Sequence, residues 1–382
     1  MFSGEFISLL KESVGEKRAA AVLEALGGDA SVSIRLNPSK LRECPFEGAE
    51  EVPWSPWGYI LGERPNFTLD PLFHAGAYYV QDSSAMMVGE LFRRVLDGVE
   101  PGVNVLDLCA APGGKSTDLA ASARERFGDA FSLLSNEVMQ KRFCILRDNL
   151  DSWGDPRTAV ISRDPSAFGS HPLFDIVLAD VPCSGEGMFR KDSRAVEEWS
   201  EDTVRFCAAR TRRILLQSWG ALREGGFLIY STCTFNHYEN DDTVAWIASE
   251  LGASVFDAGD IPGVERTLHG HIMLPGLVPG EGQYAAVLRK NGERDSSRRG
   301  DALAFPGARC TEPLSPDAPR VELSREDALR YLHGDVLRLG ADAPIGPVTL
   351  CFKGLALGPG KNLGTRCNNL YPKAKRIRMD IR

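Results

Sequence analysis

The sequence predicts an α/β fold built on a doubly wound, mainly parallel sheet, and three observations carry that reading. Between Gly102 and Lys290, short apolar runs rich in β-formers alternate with longer stretches of helical periodicity, as strands joined by crossover helices do. Several of the runs are apolar throughout, the mark of strands buried on both faces. The first run passes through a tight turn of small residues into a helix, Val105-Leu106-Asp107-Leu108-Cys109-Ala110-Ala111-Pro112-Gly113-Gly114-Lys115-Ser116-Thr117. In such open sheets, ligands sit outside the carboxyl ends of the strands.

Taken in order, Glu5 to Leu26 places Phe6, Leu9, Leu10, Val14, Ala21, Val22 and Leu26 at helical spacing, with Gly27-Gly28 as the stop. Residues 31–36 alternate as a strand, and Asn37-Pro38 turns the chain. The Pro-, Gly- and Trp-rich stretch 45–70 reads as irregular or small-sheet structure. Strands are predicted over 103–108, 131–136, 158–162, 174–180 and 227–231, and helices over 115–126, 138–151 and 203–222. Two later strands, 253–256 and 283–288, are expected as an antiparallel edge. Residues 291–319 turn polar and Pro/Ser/Arg-rich, as linkers do. The division is therefore an N-terminal unit over 1–75, a main domain over 76–290, the linker, and a small C-terminal unit over 320–382.

Composition narrows the class. A 382-residue chain with 43% hydrophobic residues can fill substantial cores, which excludes a disordered protein. The formal net charge of -8 excludes a generally basic nucleic-acid binder. The tail differs: Lys353, Lys361, Arg366, Lys373, Lys375, Arg376, Arg378 and Arg382 face the single acid Asp380. A polyanion could dock there, although charge alone serves a solvated tail equally well. Nine cysteines without Cys-x-x-Cys spacing, and six scattered histidines, offer no zinc or disulfide framework. The start lacks the basic and apolar regions of a signal peptide, and no apolar stretch approaches a membrane span. The expectation is a cytoplasmic, reduced protein with no metal, in which a free thiol can act as nucleophile.

The small-residue turn admits three readings. A P-loop needs glycine where Cys109 stands, and the Gly-x-Gly-x-x-Gly register of a dinucleotide site is absent. What remains is a turn that lets a nucleoside without a phosphate cradle lie against backbone amides, which suggests S-adenosylmethionine. The next strand leads into Glu137, where an acid can grip ribose hydroxyls. The third leads into Asp164, which could hold an adenine amine, and the fourth ends in Asp180. Each acid alone reads at least as well as a helix cap or surface carboxylate; three closing successive strands favour a cofactor site.

Two thiols then stand at strand ends: Cys183 in Asp180-Val181-Pro182-Cys183-Ser184-Gly185-Glu186-Gly187-Met188-Phe189-Arg190-Lys191-Asp192, and Cys233 in Ser231-Thr232-Cys233-Thr234-Phe235. Together with Asp107 to Ser116, and with the lead-in Ala75 to Met86, these segments resemble the signature motifs of the Sun-family (Nol/Nop/Sun) RNA 5-methylcytosine methyltransferases. Within that family the chain is similar to the bacterial small-subunit rRNA methyltransferase F group. The tail from Gly354 to Lys373, with Asn369-Leu370-Tyr371-Pro372-Lys373, resembles that group's PUA-like RNA-binding unit. Val181 departs from a usual Ala, His237-Tyr238 departs from a usual Pro-Glu, and the chain is shorter than typical group members.

The resemblance implies a Rossmann-like class I S-adenosylmethionine-dependent methyltransferase with a small N-terminal RNA-binding α/β unit, acting as a monomer. It implies methyl transfer to C5 of cytosine in RNA, small-subunit rRNA first. Cys233 would be the nucleophile at C6, Cys183 would assist release, and Asp180 would bind the base edge. Cys109, Ala110, Ala111, Pro112, Gly113, Gly114, Lys115, Glu137, Asp164 and Asp180 would hold the cofactor. In DNA cytosine methyltransferases the Pro-Cys cysteine is itself the nucleophile and lacks a Thr-Cys partner, so RNA is the better substrate reading. A tRNA or multi-RNA enzyme is the first alternative. A non-catalytic assembly factor is the second, disfavoured because both cysteines and the Gly113-Gly114 turn are present. Tyr78, Tyr79, Phe189, Trp199 and Phe235 are available to stack on an extruded base, with core packing the commoner fate of each. Cys109, Cys144, Cys207 and Cys351 read as small buried hydrophobes.

Overall fold

In a computed structural model, residues 2–293, 300–312 and 318–381 are described. Parts of the expected linker (294–299 and 313–317) and the terminal Arg382 of the basic tail lie outside the described residues. The central sheet has five parallel neighbours in the order Leu222–Thr232, Phe174–Asp180, Val103–Asp107, Phe131–Asn136, Thr158–Ile161. Winding starts at Val103–Asp107 and runs outward in one direction, then returns to run in the other. The crevice beside that strand is the switch point at which such sheets bind ligands.

The apolar runs are explained by two covered faces. Leu106, Leu134, Ala179 and Tyr230 enter one hydrophobic cluster, while Val105, Leu133, Leu178 and Ile229 enter the other. Successive residues point to opposite faces of a strand, so a sheet packed on both sides needs apolar residues at every position. The helices Gly114–Phe127, Gln140–Trp153 and Glu201–Ser218 follow the predicted pattern within a few residues. Gln283–Lys290 pairs antiparallel with Leu222–Thr232, and Ala253–Val255 pairs with it in turn.

Two expectations change. The single N-terminal helix is two, Gly4–Val14 and Glu16–Leu26, because Gly15 adopts φ +84°, a conformation glycine takes without a Cβ penalty. Of the stretch expected as linker, Arg309–Cys310 adds an antiparallel strand beside Thr158–Ile161.

The N-terminal residues also divide. Phe6, Leu9, Leu10, Val14 and Val22 pack into the main body. The strand Val32–Leu36 instead joins a four-stranded sheet with Glu50–Glu51, Gly58–Leu61 and Tyr78–Val80. The C-terminal unit consists of Arg320–Glu322, Gly346–Phe352, Leu355–Asn362 and Cys367–Asn369 with the helix Arg325–His333. Ile34, Leu36 and Tyr78 share one buried cluster with Leu329, Tyr331, Leu332 and Leu350 of that unit. Among the described residues, no helix is long and apolar enough to cross a membrane.

Candidate functional site

A cavity of about 450 Å³ opens at the carboxyl ends of Val103–Asp107, Phe174–Asp180 and Leu222–Thr232. One wall is the small-residue turn, where Cys109, Ala110, Ala111, Pro112 and Gly114 line the cavity. Gly113 supplies the bend, at φ +112°, and is not itself part of the lining. Gly114 leaves room for Tyr79, since a Cβ there would lie 3.2 Å from the tyrosine ring. The helix then begins, and Lys115 reaches across the switch point to put Nζ 2.9 Å from Asp180 Oδ2. Burial works against the Lys115 charge, but Asp180 outweighs it, and the ammonium pKa is held above its ordinary value. Asp180 Oδ1 accepts from Gln283 Nε2 at 3.3 Å.

Asp107 lies at the floor of the cavity. One of its oxygens accepts from the Ser116 hydroxyl at 2.6 Å, and its buried Oδ1 has no hydrogen-bond partner. Burial pushes this carboxyl up to about 7. Burial likewise pushes the Cys109 thiol up, reinforced by the carboxylates of Asp107, Asp180 and Glu137.

The two strand-end thiols meet: Cys183 Sγ and Cys233 Sγ are 3.3 Å apart. Cys233 lines the cavity, and Cys183 lies beside it outside the lining. The hydrogen bond to the Cys233 sulfur, followed by burial and the Cys233 charge, raises the Cys183 thiol well above its ordinary pKa. The loops carrying them are bonded directly. Gly187 N–H donates to Cys233 O at 2.8 Å, and Phe235 N–H donates to Glu186 Oε2 at 2.6 Å. The Ser184 and Thr234 hydroxyls lie 3.0 Å apart. Gly187 permits the approach, because a Cβ there would lie 3.0 Å from the Cys233 carbonyl oxygen.

Glu137 and Asp164 do not line the cavity. Glu137 is buried behind it, where Oε1 accepts from Met139 N–H at 2.8 Å and Oε2 pairs with Arg142 at 3.1 Å; Arg142 itself lines the cavity and donates to Ala111 O. Asp164 is held by its own turn, accepting from the amide and hydroxyl of Ser166, and these bonds keep its pKa low. The local Asp-Pro-Ser cap uses Oδ1 of that side chain and leaves Oδ2 outside these bonds.

Of the five aromatics, only Tyr79 lines the cavity. Tyr78, Phe189, Trp199 and Phe235 are core residues, the middle two packed against Phe6. Cys144 is exposed rather than buried, while Cys207 and Cys351 are buried. The His237-Tyr238 pair does not line the cavity. His237 contacts Asp242 and Glu12, and Tyr238 packs under Arg205.

Sequence reading missed several groups here. Asp82 pairs with Lys191 at 3.0 Å across the cavity rim. Arg190 pairs with Glu281 at 2.6 Å, and Glu281 also accepts from the amide of Ser31. Arg190 and Lys191 close the motif that carries Cys183, where no role marks them; Glu281 and Gln283 carry no local signal.

Three family models match the chain: 16S rRNA methyltransferase RsmB/F over residues 95–288, the N-terminal domain of 16S rRNA methyltransferase RsmF over 2–83, and the methyltransferase RsmF PUA domain over 318–377. Among curated relatives named ribosomal RNA small subunit methyltransferase F, that of Pectobacterium atrosepticum is 33% identical over 300 residues, 74% of this chain and 59% of the relative. That of Klebsiella pneumoniae is 34% identical over 288 residues, 69% of this chain and 58% of the relative. The chain thus spans under three fifths of the length of these relatives. Two solved structures share the fold. A methyltransferase homologue from Pyrococcus horikoshii has a TM-score of 0.63 at 24% identity, covering 76% of this chain and 95% of that one. NSun6 from Pyrococcus horikoshii, solved with SFG, has a TM-score of 0.63 at 17% identity, covering 76% and 99%. With one model matched across just over half of the residues and two more over its flanks, the chain belongs to the 16S rRNA methyltransferase RsmB/F family.

Proposed function

We propose that the protein transfers a methyl group from S-adenosylmethionine to C5 of a cytosine in RNA, with small-subunit ribosomal RNA as the substrate. The observation that carries this reading is the pair of thiols 3.3 Å apart at the edge of a strand-end cavity that also holds the Lys115–Asp180 pair. The names of the curated relatives support the choice of RNA.

The residues present fit a nucleoside-type cofactor. A cavity of about 450 Å³ is in the range of small-molecule sites. Its turn offers backbone amides without a phosphate cradle, and the unpartnered Asp107 Oδ1 is an acceptor left for a ligand. S-adenosylmethionine bound there would supply an electrophilic methyl sulfonium. Residues 109–115 would hold it, together with Glu137 through its remaining acceptor capacity and Asp164 through the oxygen that the Ser166 bonds do not use.

Cytosine C5 is a weak nucleophile until a thiolate adds at C6 and makes C5 enamine-like, the division of one hard step into two that covalent catalysis provides. Cys233, in the lining, is the attacking group. Asp180, oriented by Lys115, takes the N3/N4 edge of the base. With the two sulfurs 3.3 Å apart, the proton they share stays on Cys183 when Cys233 is the attacking thiolate. Once that sulfur is bonded to C6, the acceptor and its charge are gone, and the Cys183 thiol passes its proton to a water in the cavity. The freed thiolate takes the C5 proton, the electron pair re-forms the C5–C6 double bond, and Cys233 departs. The target cytosine must be extruded or single-stranded to reach the thiols.

Bisulfite sequencing of rRNA and tRNA from a deletion strain tests this. A cytosine in small-subunit rRNA should lose its protection and regain it with the wild-type gene but not with Cys233→Ala. Loss confined to tRNA would move the substrate, and no loss in either RNA would remove the proposal.

A further inference from the structure

We infer that Glu239 and Asn240 are positioning residues that hold the two thiol loops in register, Glu239 carrying the Cys183 loop and Asn240 the Cys233 loop. The inference rests on the function proposed above and adds two residues to it. Both side chains are buried, at 1% and 3% exposure. The Glu239 carboxylate accepts the Ser184 amide, the bond directly after Cys183, with Oε2 at 3.0 Å from that nitrogen. Asn240 brackets the other thiol: its Oδ1 accepts from the Thr232 hydroxyl at 2.6 Å, and its Nδ2 donates to Thr234 O at 2.9 Å. One adjacent pair of residues therefore grips the chain beside each sulfur.

The pair is itself anchored. Tyr230, on the strand leading to Cys233, donates its hydroxyl to Glu239 O at 2.5 Å, and Glu239 N–H donates to Asn236 Oδ1 at 3.0 Å. Asn236 Nδ2 lies 2.9 Å from both Glu239 Oε1 and Glu186 Oε1, so a second acid of the Cys183 loop is tied to the same turn. A buried carboxylate is costly to desolvate, and burial pushes Glu239 up to about 7. An apolar side chain would fill the space at less expense but could not orient the Ser184 amide. Holding two thiols at a fixed separation needs directional bonds, and these supply them.

The separation can be read without methyl transfer. In glutathione buffers the thiol pair closes when two protein thiols and one glutathione disulfide give one protein disulfide and two glutathione thiols, and the equilibrium constant is the effective concentration of one thiol at the other. Glu239→Ala and Asn240→Ala should each lower it at least about 10-fold, the loss of one charge-assisted or buried hydrogen bond. Glu239→Gln, which keeps a carbonyl oxygen for the Ser184 amide, should restore it to within about 3-fold on the same scale. In methyl transfer, the alanine variants should lose kcat while KM for RNA stays near wild type. If the alanine variants do not fold, Asn240→Asp, which keeps the Thr232 acceptor and loses the Thr234 donor, should show the same drop against Glu239→Gln. Wild-type equilibrium constants in folded Glu239→Ala and Asn240→Ala, or in Asn240→Asp, overturn the inference. Full activity in Cys233→Ala would instead overturn the proposed chemistry, a result the glutathione titration does not share.

Discussion

Replacing Cys183 with alanine should leave a protein that folds and attacks cytosine but does not release it. The structural loss is small, because the loop is held by bonds that do not use the thiol: Gly187 N–H to Cys233 O and Ser184 N–H to Glu239. Deleting one buried heavy atom costs about 1 kcal/mol, against a stability of about 5–15 kcal/mol for a folded protein. The kinetic loss is large. A positioned base contributes about 10²- to 10⁴-fold, or about 3–5 kcal/mol in the barrier to release. Turnover should therefore fall at least about 100-fold on that scale, while formation of the Cys233–C6 bond continues. Labelled RNA incubated with the variant and S-adenosylmethionine, then run on a denaturing gel, should show a slow, RNase-sensitive band approaching one RNA per protein. Absence of that band in folded Cys183→Ala would refute the reasoning, and its appearance in Cys233→Ala would reverse the two roles.

Asp180→Asn should remove the partner of Lys115 and lower kcat at least about 10-fold, as losing a charge-assisted hydrogen bond does; steady-state kinetics that leave kcat unchanged would place the pair outside the chemistry. Glu137→Ala should weaken S-adenosylmethionine binding by about 1–3 kcal/mol, read by calorimetric titration, and unchanged affinity would leave that carboxylate as the partner of Met139 N–H and Arg142 only. Asp107 and Glu239, both raised to about 7 by burial, keep protons in the native state that the unfolded chain has released. Stability should consequently fall as pH rises between about 5 and 7, by up to about 1.4 kcal/mol per pH unit for each group; denaturant midpoints that rise through this window would contradict the burial. Leu332→Ala, fully buried in the cluster shared by the N-terminal sheet and the C-terminal unit, should cost about 2–5 kcal/mol. Limited proteolysis should then open residues 32–80 together with the C-terminal unit, and protection of 32–80 would show that the two fold apart.

The main sheet could be read from the chain because its signal is local. Val105-Leu106, Leu133-Leu134 and Leu178-Ala179 are apolar at adjacent positions, and only a strand covered on both faces requires that. The turn from Cys109 to Lys115 and the segments around Cys183 and Cys233 are likewise short, with residue types set by what the backbone must do there. Other features depended on partners far along the chain. Periodicity carried one helix through Gly15, but the break is a backbone angle that hydrophobic spacing does not encode. Asp164 looked like Asp180 in sequence; a neighbouring serine caps one through Oδ1, and Lys115, from another element, pairs with the other at the cavity. The grip of Glu239 and Asn240 on two loops, the Ser31–Glu281 bond and the core common to both ends of the chain are contacts made by packing. Local sequence determined which segments became strands, turns and thiol-bearing loops. Which side chains met was decided only when the folded chain excluded water and required each buried polar group to find a partner.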